Sequence, residues 1–287
     1  MNLRQQTSIS LSILAILSVV ALLCMAVIFP VFYIGIISLT DHKGYASELN
    51  FVGLKNYLQV IDDPAFLLAM KNTLLFASAS TLGMIVCGTA LALIVYRWPK
   101  NQQYFVQMLF FVPYFTVPVV VVTETWRFLA DINVGVITQL TGIALFTPDY
   151  IMFTVILVTV WVFSPFVMSL VLARLRQIPS ALLESLTLDG AGAFAKFRYI
   201  IFPHLLPVFI SVAVLRFILT ATKFDLPYLL LGTGAAAFQH APVAIYLFEK
   251  AYEESNYGVS SAAAMVSLLA LLIPVFIAIK YQFCIPK

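Results

Sequence analysis

Six long apolar stretches constrain this chain more than any other feature. A membrane-crossing helix needs about 20 predominantly apolar residues, within a range of about 17–25. The stretches at approximately 10–38, 73–96, 104–129, 150–173, 205–222 and 259–281 meet that need. Lipid offers the backbone no hydrogen-bond partners, so spanning segments form helices or closed barrels. A barrel would read as short alternating strands, and the sequence has none. Only 10% of the 287 residues are charged and 62% are hydrophobic, where a soluble domain carries about 25% charged residues. The expected fold is therefore all-α and polytopic, with six transmembrane helices in a single membrane domain over 1–287. No Pro- or Ser-rich linker and no internal repeat divides it.

The first stretch is too long for the apolar core of a secretory signal, which runs about 7–15 residues, and reads as an uncleaved span. Leu23 precedes Cys24 where a lipoprotein site would want a small residue, so lipidation is not expected. Cys24, Cys87 and Cys284 show no metal-binding or disulfide spacing and read as packing thiols.

Loop charges orient the spans. With the N-terminus in the cytoplasm, the inner segments hold Arg4, Arg97, Lys100, Arg174, Arg176, Lys196, Arg198, Lys280 and Lys287 against Glu184 and Asp189, a net +7. The outer segments hold Lys43, Lys55, Lys71, Arg127, Lys223 and Lys250. Their acids are Asp41, Glu48, Asp62, Asp63, Asp131, Asp149, Asp225, Glu249, Glu253 and Glu254, a net −4. Basic residues concentrate on the cytoplasmic side, so both termini are expected there. The overall charge of +3 follows from this bias, and no long basic patch marks a nucleic-acid partner.

The longest inner loop, about 174–204, carries the most specific pattern. Pro179 and Ser180 are good helix-start residues. Leu182, Leu183, Leu186 and Thr187 fall on one side at helical spacing, and Asp189-Gly190 supplies a stop. A second short helix is expected through Phe194, Phe197 and Ile201, ended by Pro203. Two short helices meeting at a glycine corner can pass a push between a soluble partner and the bundle. The pattern by itself equally fits a helix lying passively in the membrane interface.

Glu184, Asp189, Gly190, Ile200 and Pro203 stand in the register of the signature loop of binding-protein-dependent ABC importer permeases, which the chain resembles: Glu-Ala-Ala, three residues, Gly, nine residues, Ile-x-Leu-Pro. Ser185, Leu186 and Phe202 depart from it. The similarity favours the maltose-type sugar permease branch. It runs through Phe51-Val52-Gly53-Leu54-Lys55-Asn56-Tyr57, Asp63-Pro64, Asn72-Thr73, Trp161, Ser164-Pro165-Phe166 and Phe224-Asp225. It continues in Ile245-Tyr246, Tyr257-Gly258 and Ala262-Ala263-Ala264. Relatives often carry Gly-Gly-Gly-Pro after the fifth span, where this chain has Gly232-Thr233-Gly234-Ala235.

What the resemblance implies is a four-part machine in a cell (inner) membrane: this chain, a second, unlike permease and two cytoplasmic ATPase subunits, served by an extracytoplasmic solute-binding protein. Glu184, Asp189 and Gly190 would couple to the ATPase. The chain has no GxxxxGK[ST] loop, so ATP and Mg belong to the partners and no cofactor is expected here. His42, His204 and His240 have no evident nucleophile partner; no catalytic or metal site is expected, and the chain is not read as an enzyme.

Two helical faces are candidates for the solute pathway. Thr159, Phe163 and Phe166 share a face of the fourth span, and Arg216, Thr220 and Lys223 share one at the fifth. A sugar site wants aromatic rings for apolar faces and polar groups for hydroxyls. The matching stretches of maltose-type permeases line the membrane pocket, which extends that role to Thr159, Phe163, Phe166, Thr220 and Lys223; Arg216 rests on burial and spacing. Arg216 needs a partner or a wet cavity. Glu124 is one partner, although it equally fits Arg127 one turn on. Arg216 and Lys223 together also allow an anionic, sugar-like cargo. The alternatives are an ABC permease for a polyamine, phosphonate or other polar solute, and an ion-coupled secondary transporter, which would show repeats and broken spans.

Overall fold

The computed structural model describes residues 3–44, 49–188, 190–232 and 239–284. The described residues are overwhelmingly helical and contain no β-strand; two isolated bridges, Thr40 with Phe51 and Lys43 with Asn256, are the extended pairings found among them. Among the described residues, five helices are long and apolar enough to cross a membrane: Ile16–Ile37, Pro64–Tyr96, Ile151–Leu175, Ala193–Ala221 and Tyr257–Ile277.

In chain order the helices are α1 Leu3–Ile37, α2 Lys55–Asp62, α3 Pro64–Tyr96, α4 Lys100–Thr116, α5 Val119–Leu129, α6 Val136–Thr141 and α7 Ile151–Leu175. After them come α8 Ser180–Leu188, α9 Ala193–Lys196, α10 Phe202–Ala221, α11 Asp225–Leu231, α12 Val243–Phe248 and α13 Tyr257–Cys284.

The stretch expected as one span at 104–129 is two helices. α4 stops at Thr116 and α5 starts at Val119, with Pro118 as its N-cap residue. Proline removes an N–H and disfavours helical backbone at the residue before it, so Val117 and Pro118 break the helix. A second expectation is also corrected: Pro203 does not end a helix. A π-turn over Phe197–Ile201 joins α9 to α10, and the chain runs on helically to Ala221. Wider turns of this kind let a helix accommodate a proline.

The chain packs as two units. One comprises residues 1–66 and 247–269. Here the Asn56 side chain donates to the carbonyls of Ser38 (2.9 Å) and Thr40 (2.7 Å). Gly258 lies so close that a Cβ there would meet the Thr40 oxygen at 2.3 Å. The Phe51–Tyr57 and Tyr257-Gly258 motifs thus meet as a structural clamp.

The other unit comprises residues 67–246 and 270–287. Lipid tails are as apolar as leucine, so helices in a membrane associate by close packing rather than by hydrophobic drive. α3 meets α7 through glycines: a Cβ on Gly83 would lie 2.6 Å from Val160 Cγ2, and one on Gly88 would lie 2.7 Å from Val167 Cβ. Met84, Val167, Met168, Leu172, Leu175 and Leu205 fill the core where α3, α7 and α10 converge. A second cluster, with Phe76, Val122, Val155, Val158, Leu226 and Leu230, joins α3, α5, α7 and α11. Asn72 donates to the carbonyls of Gln239 and Ala241, while Thr73 Oγ1 accepts from the Val243 N–H at 2.7 Å. These bonds bring the chain back onto α3 after α11.

Candidate functional site

The two candidate faces meet within the second unit. α7 and α10 pack together, placing Phe163 at the centre of a charged and aromatic cluster. The Arg216 guanidinium lies 4.2 Å from the Phe163 ring centroid and 6.0 Å from that of Phe166. Lys223 Nζ lies 4.9 Å from the Phe163 ring. Ring quadrupoles attract cations at such distances, by about 0.5–1 kcal/mol when exposed and about 2 or more when desolvated. Arg216 is only 3% exposed, and its Nε reaches Met84 Sδ at 3.3 Å. The soft surface of Met84, Phe163 and Phe166 is thus part of what makes its burial tolerable.

A cavity of about 800 Å³ opens beside this cluster, with Phe163, Lys223, Trp161, Phe110, Ser164 and Pro165 in its wall. Trp161 is 58% exposed and meets Trp126 edge-on, with ring centroids 5.8 Å apart. Lys223 pairs with Asp225 at 3.2 Å, so its charge on the cavity wall is matched. The sequence held the signal for this pair in Phe224-Asp225, directly after Lys223, but spacing did not assign it a role.

The six residues do not all reach the cavity. Thr159 is fully buried, and its hydroxyl donates to the Val155 carbonyl at 2.7 Å. Thr220 is also fully buried, with its Oγ1 enclosed and no hydrogen-bond partner among the described residues. Phe166 is half-buried against the core. Glu124 is exposed and shares a smaller cavity wall with Arg127. It takes no part in the Lys223–Asp225 or Lys250–Glu254 ion pairs. Arg127 instead donates to the Leu229 carbonyl at the end of α11.

The 174–204 loop is built as a corner. Gly190 has φ +74°, its N–H donates to the Thr187 carbonyl, and the Ala191 N–H donates to that of Leu186. This is the paired bonding of a helix ending on a left-handed glycine. Lys196 Nζ donates to Thr187 Oγ1 at 2.8 Å, tying the two arms together. Glu184 is exposed, and Leu188 and Phe194 are 89% and 80% exposed. Asp189 lies outside the described residues.

These features, with the long apolar helices, define an integral membrane protein with an exposed, glycine-cornered loop. Residues 84–282 match the family described as binding-protein-dependent transport system inner membrane component, and the chain belongs to that family. It is 30% identical over 269 residues to the trehalose/maltose transport system permease protein MalF of Thermococcus litoralis, covering 91% of this chain and 90% of that one. It is 31% identical over 253 residues to the sn-glycerol-3-phosphate transport system permease protein UgpA of Yersinia pestis, covering 85% and 82%. Its fold is shared with a crystal structure of a bacterial ABC transporter involved in the import of the acidic polysaccharide alginate. The TM-score is 0.82 at 20% identity, over 99% of each chain. The chain is a multi-pass inner-membrane permease subunit.

Proposed function

We propose that this chain forms half of the pathway of an ATP-driven importer for a sugar or sugar-like solute. A second, unlike permease supplies the other half, two cytoplasmic ATPase subunits supply the energy with ATP and Mg, and an extracytoplasmic binding protein delivers the cargo. The observation that carries this reading is the glycine-cornered loop at 174–204, with Leu188 and Phe194 almost fully exposed, inside a chain of this family. Large apolar groups held out on a short loop need a protein or lipid to cover them. A groove on an ATPase subunit does so, with Glu184 and Asp189 beside the contact and Gly190 setting its angle.

In this reading both termini are cytoplasmic and there are six spans, the third made jointly by α4 and α5. The solute passes the cavity beside Phe163, where Trp161 and Phe163 offer apolar surfaces and Lys223 with Asp225 offers polar ones. Arg216 lies over both Phe163 and Phe166, while Thr159 and Thr220 are buried in their helices. The named cargoes of similar permeases, trehalose/maltose and sn-glycerol-3-phosphate, support a sugar-like solute and leave its charge open. Lys223 favours an anion, and Asp225 at 3.2 Å opposes it.

Thiol labelling of intact cells tests the arrangement. In a background without native cysteines, Lys55→Cys and Glu253→Cys should react with an impermeant reagent from outside, and Leu188→Cys only after permeabilisation. Reaction of Leu188→Cys from outside would overturn the assignment of the loop to the ATPase side.

A further inference from the structure

The base of the 174–204 loop is tied to the turn between α3 and α4. Gln103, in the first turn of α4, is 4% exposed. Its amide nitrogen donates to the carbonyls of Tyr96 (3.0 Å) and Trp98 (2.7 Å), which close the end of α3. Its amide oxygen accepts from Arg176 Nε at 3.0 Å. Arg176 is the residue that ends α7, three positions before Pro179 and α8. Its guanidinium also lies 4.6 Å from the Tyr104 ring centroid. One buried amide therefore spends both donors on the end of α3 and its acceptor on the end of α7.

The other end of the loop is closed separately. Arg174 Nε donates to the His204 carbonyl at 3.2 Å, and Arg174 Nη1 donates to Gln177 Oε1 at 2.8 Å. Arg174 thus joins the two stems of the loop, α7 and α10, to each other. Arg176 and Gln103 join those stems to the α3–α4 turn. The Nη2 of Arg176 is enclosed, with no hydrogen-bond partner among the described residues.

We infer that Arg176 and Gln103 are positioning residues that transmit movement of the 174–204 loop to α3 and α4, the helices beside the cavity of Phe163. The inference rests on the reading of that loop as the ATPase-coupling element. The linkage is short and directional. Arg176 moves with α7, the amide of Gln103 follows it, and the end of α3 follows the amide. α4 carries Leu109 and Phe110, and α3 carries Cys87 and Leu91, all in the cavity wall. Their displacement would reshape the cavity. Without the link, the first turn of α4 loses its polar tie to the loop stem, and only the apolar contact of α4 with α7 is left to carry the movement.

The test uses the complete importer in lipid nanodiscs, with spin labels read by pulsed distance measurements. One label sits on the exposed loop position Tyr199 and one on the exposed α4 position Met108, each paired with a fixed label on an ATPase subunit. Distances are taken without nucleotide and with ATP–vanadate. In the unmodified chain both labels should shift. In Arg176→Leu and in Gln103→Leu the loop label should still shift, while the α4 displacement is lost. Arg97→Leu removes an exposed charge from the same region and should leave both shifts unchanged. If Arg176→Leu does not assemble, the milder Tyr104→Leu, which removes the ring beneath the guanidinium, should reduce the α4 shift without touching the loop shift. If α4 still follows the loop in these variants, the linkage is refuted while the coupling reading stands. If the loop label does not respond to ATP–vanadate in the unmodified chain, the coupling reading fails, and the linkage with it.

Discussion

Gly190 offers a clean perturbation, because a Cβ added there meets nothing within 4 Å among the described residues. No clash contributes, and any loss comes from the backbone alone. At φ +74° an L residue with a Cβ pays roughly 1–2 kcal/mol, whereas asparagine visits this region routinely. A β-branched residue resists it more strongly still. A penalty of that size changes a two-state ratio by about 5- to 30-fold. Gly190→Ala should therefore populate the corner ~5- to 30-fold less well, Gly190→Val less again, and Gly190→Asn nearly as well as glycine. If the corner seats the loop in the ATPase, ATP-driven uptake by the reconstituted importer should fall in the order Gly, Asn, Ala, Val. Retention of ATPase subunits on a tagged chain should follow the same order, while membrane insertion is unaffected. Full uptake by Gly190→Val, or a defect in Gly190→Asn equal to that of valine, would refute the reasoning.

Phe163→Ala should reduce uptake while the complex still assembles, since it removes a ring held by Arg216 and Lys223 from the cavity wall; initial-rate uptake measurements check this. Lys223→Gln should depress uptake of an anionic solute such as sn-glycerol-3-phosphate more than that of trehalose, and equal effects on both would remove the anionic reading. Gly88→Ala should overpack the α3–α7 contact at a cost of about 1–3 kcal/mol and lower the melting temperature in detergent, whereas Gly192→Ala, with nothing within 4 Å of its Cβ, should not. Burial, followed by Glu253 and Glu254, pushes the Glu249 carboxyl up to about 7 from its ordinary 4.5, with Lys250 opposing. A raised carboxyl means the folded form holds its proton longer, so local stability is greatest below about pH 4.5 and falls as pH rises through 7. Hydrogen exchange at 249–256, corrected for intrinsic rates, should show this loss between pH 5 and pH 8, and Glu249→Gln should flatten it.

The long helices were legible because hydropathy over 20 or more residues is a collective signal that no single residue overturns. The break at Val117-Pro118 was not read, although its cause was visible. An apolar window averages over a proline, and the backbone rule that proline imposes is local. Pro203 misled in the opposite direction, because sequence does not reveal a π-turn that accommodates it. The loop corner was legible to the residue, since Gly190 answers a need that only the left-handed backbone creates. Helical spacing put Thr159 with Phe163, and Thr220 with Arg216 and Lys223. It did not distinguish the side of each face that packs against a neighbour from the side that opens on the cavity, because that depends on helix rotation. Gln103 carried no signal at all: its bond with Arg176 joins residues 73 apart in the chain.

The most direct test is uptake into proteoliposomes holding this chain with its co-purified partners and ATP enclosed in the lumen, facing the ATPase subunits. Labelled trehalose, maltose and sn-glycerol-3-phosphate would each be supplied outside with the binding protein. The account predicts that at least one of them accumulates only when ATP, Mg and the binding protein are all present, and that vanadate stops it. Accumulation driven by an imposed ion gradient in the absence of ATP, or a tagged chain that brings down no ATPase subunit, would contradict it.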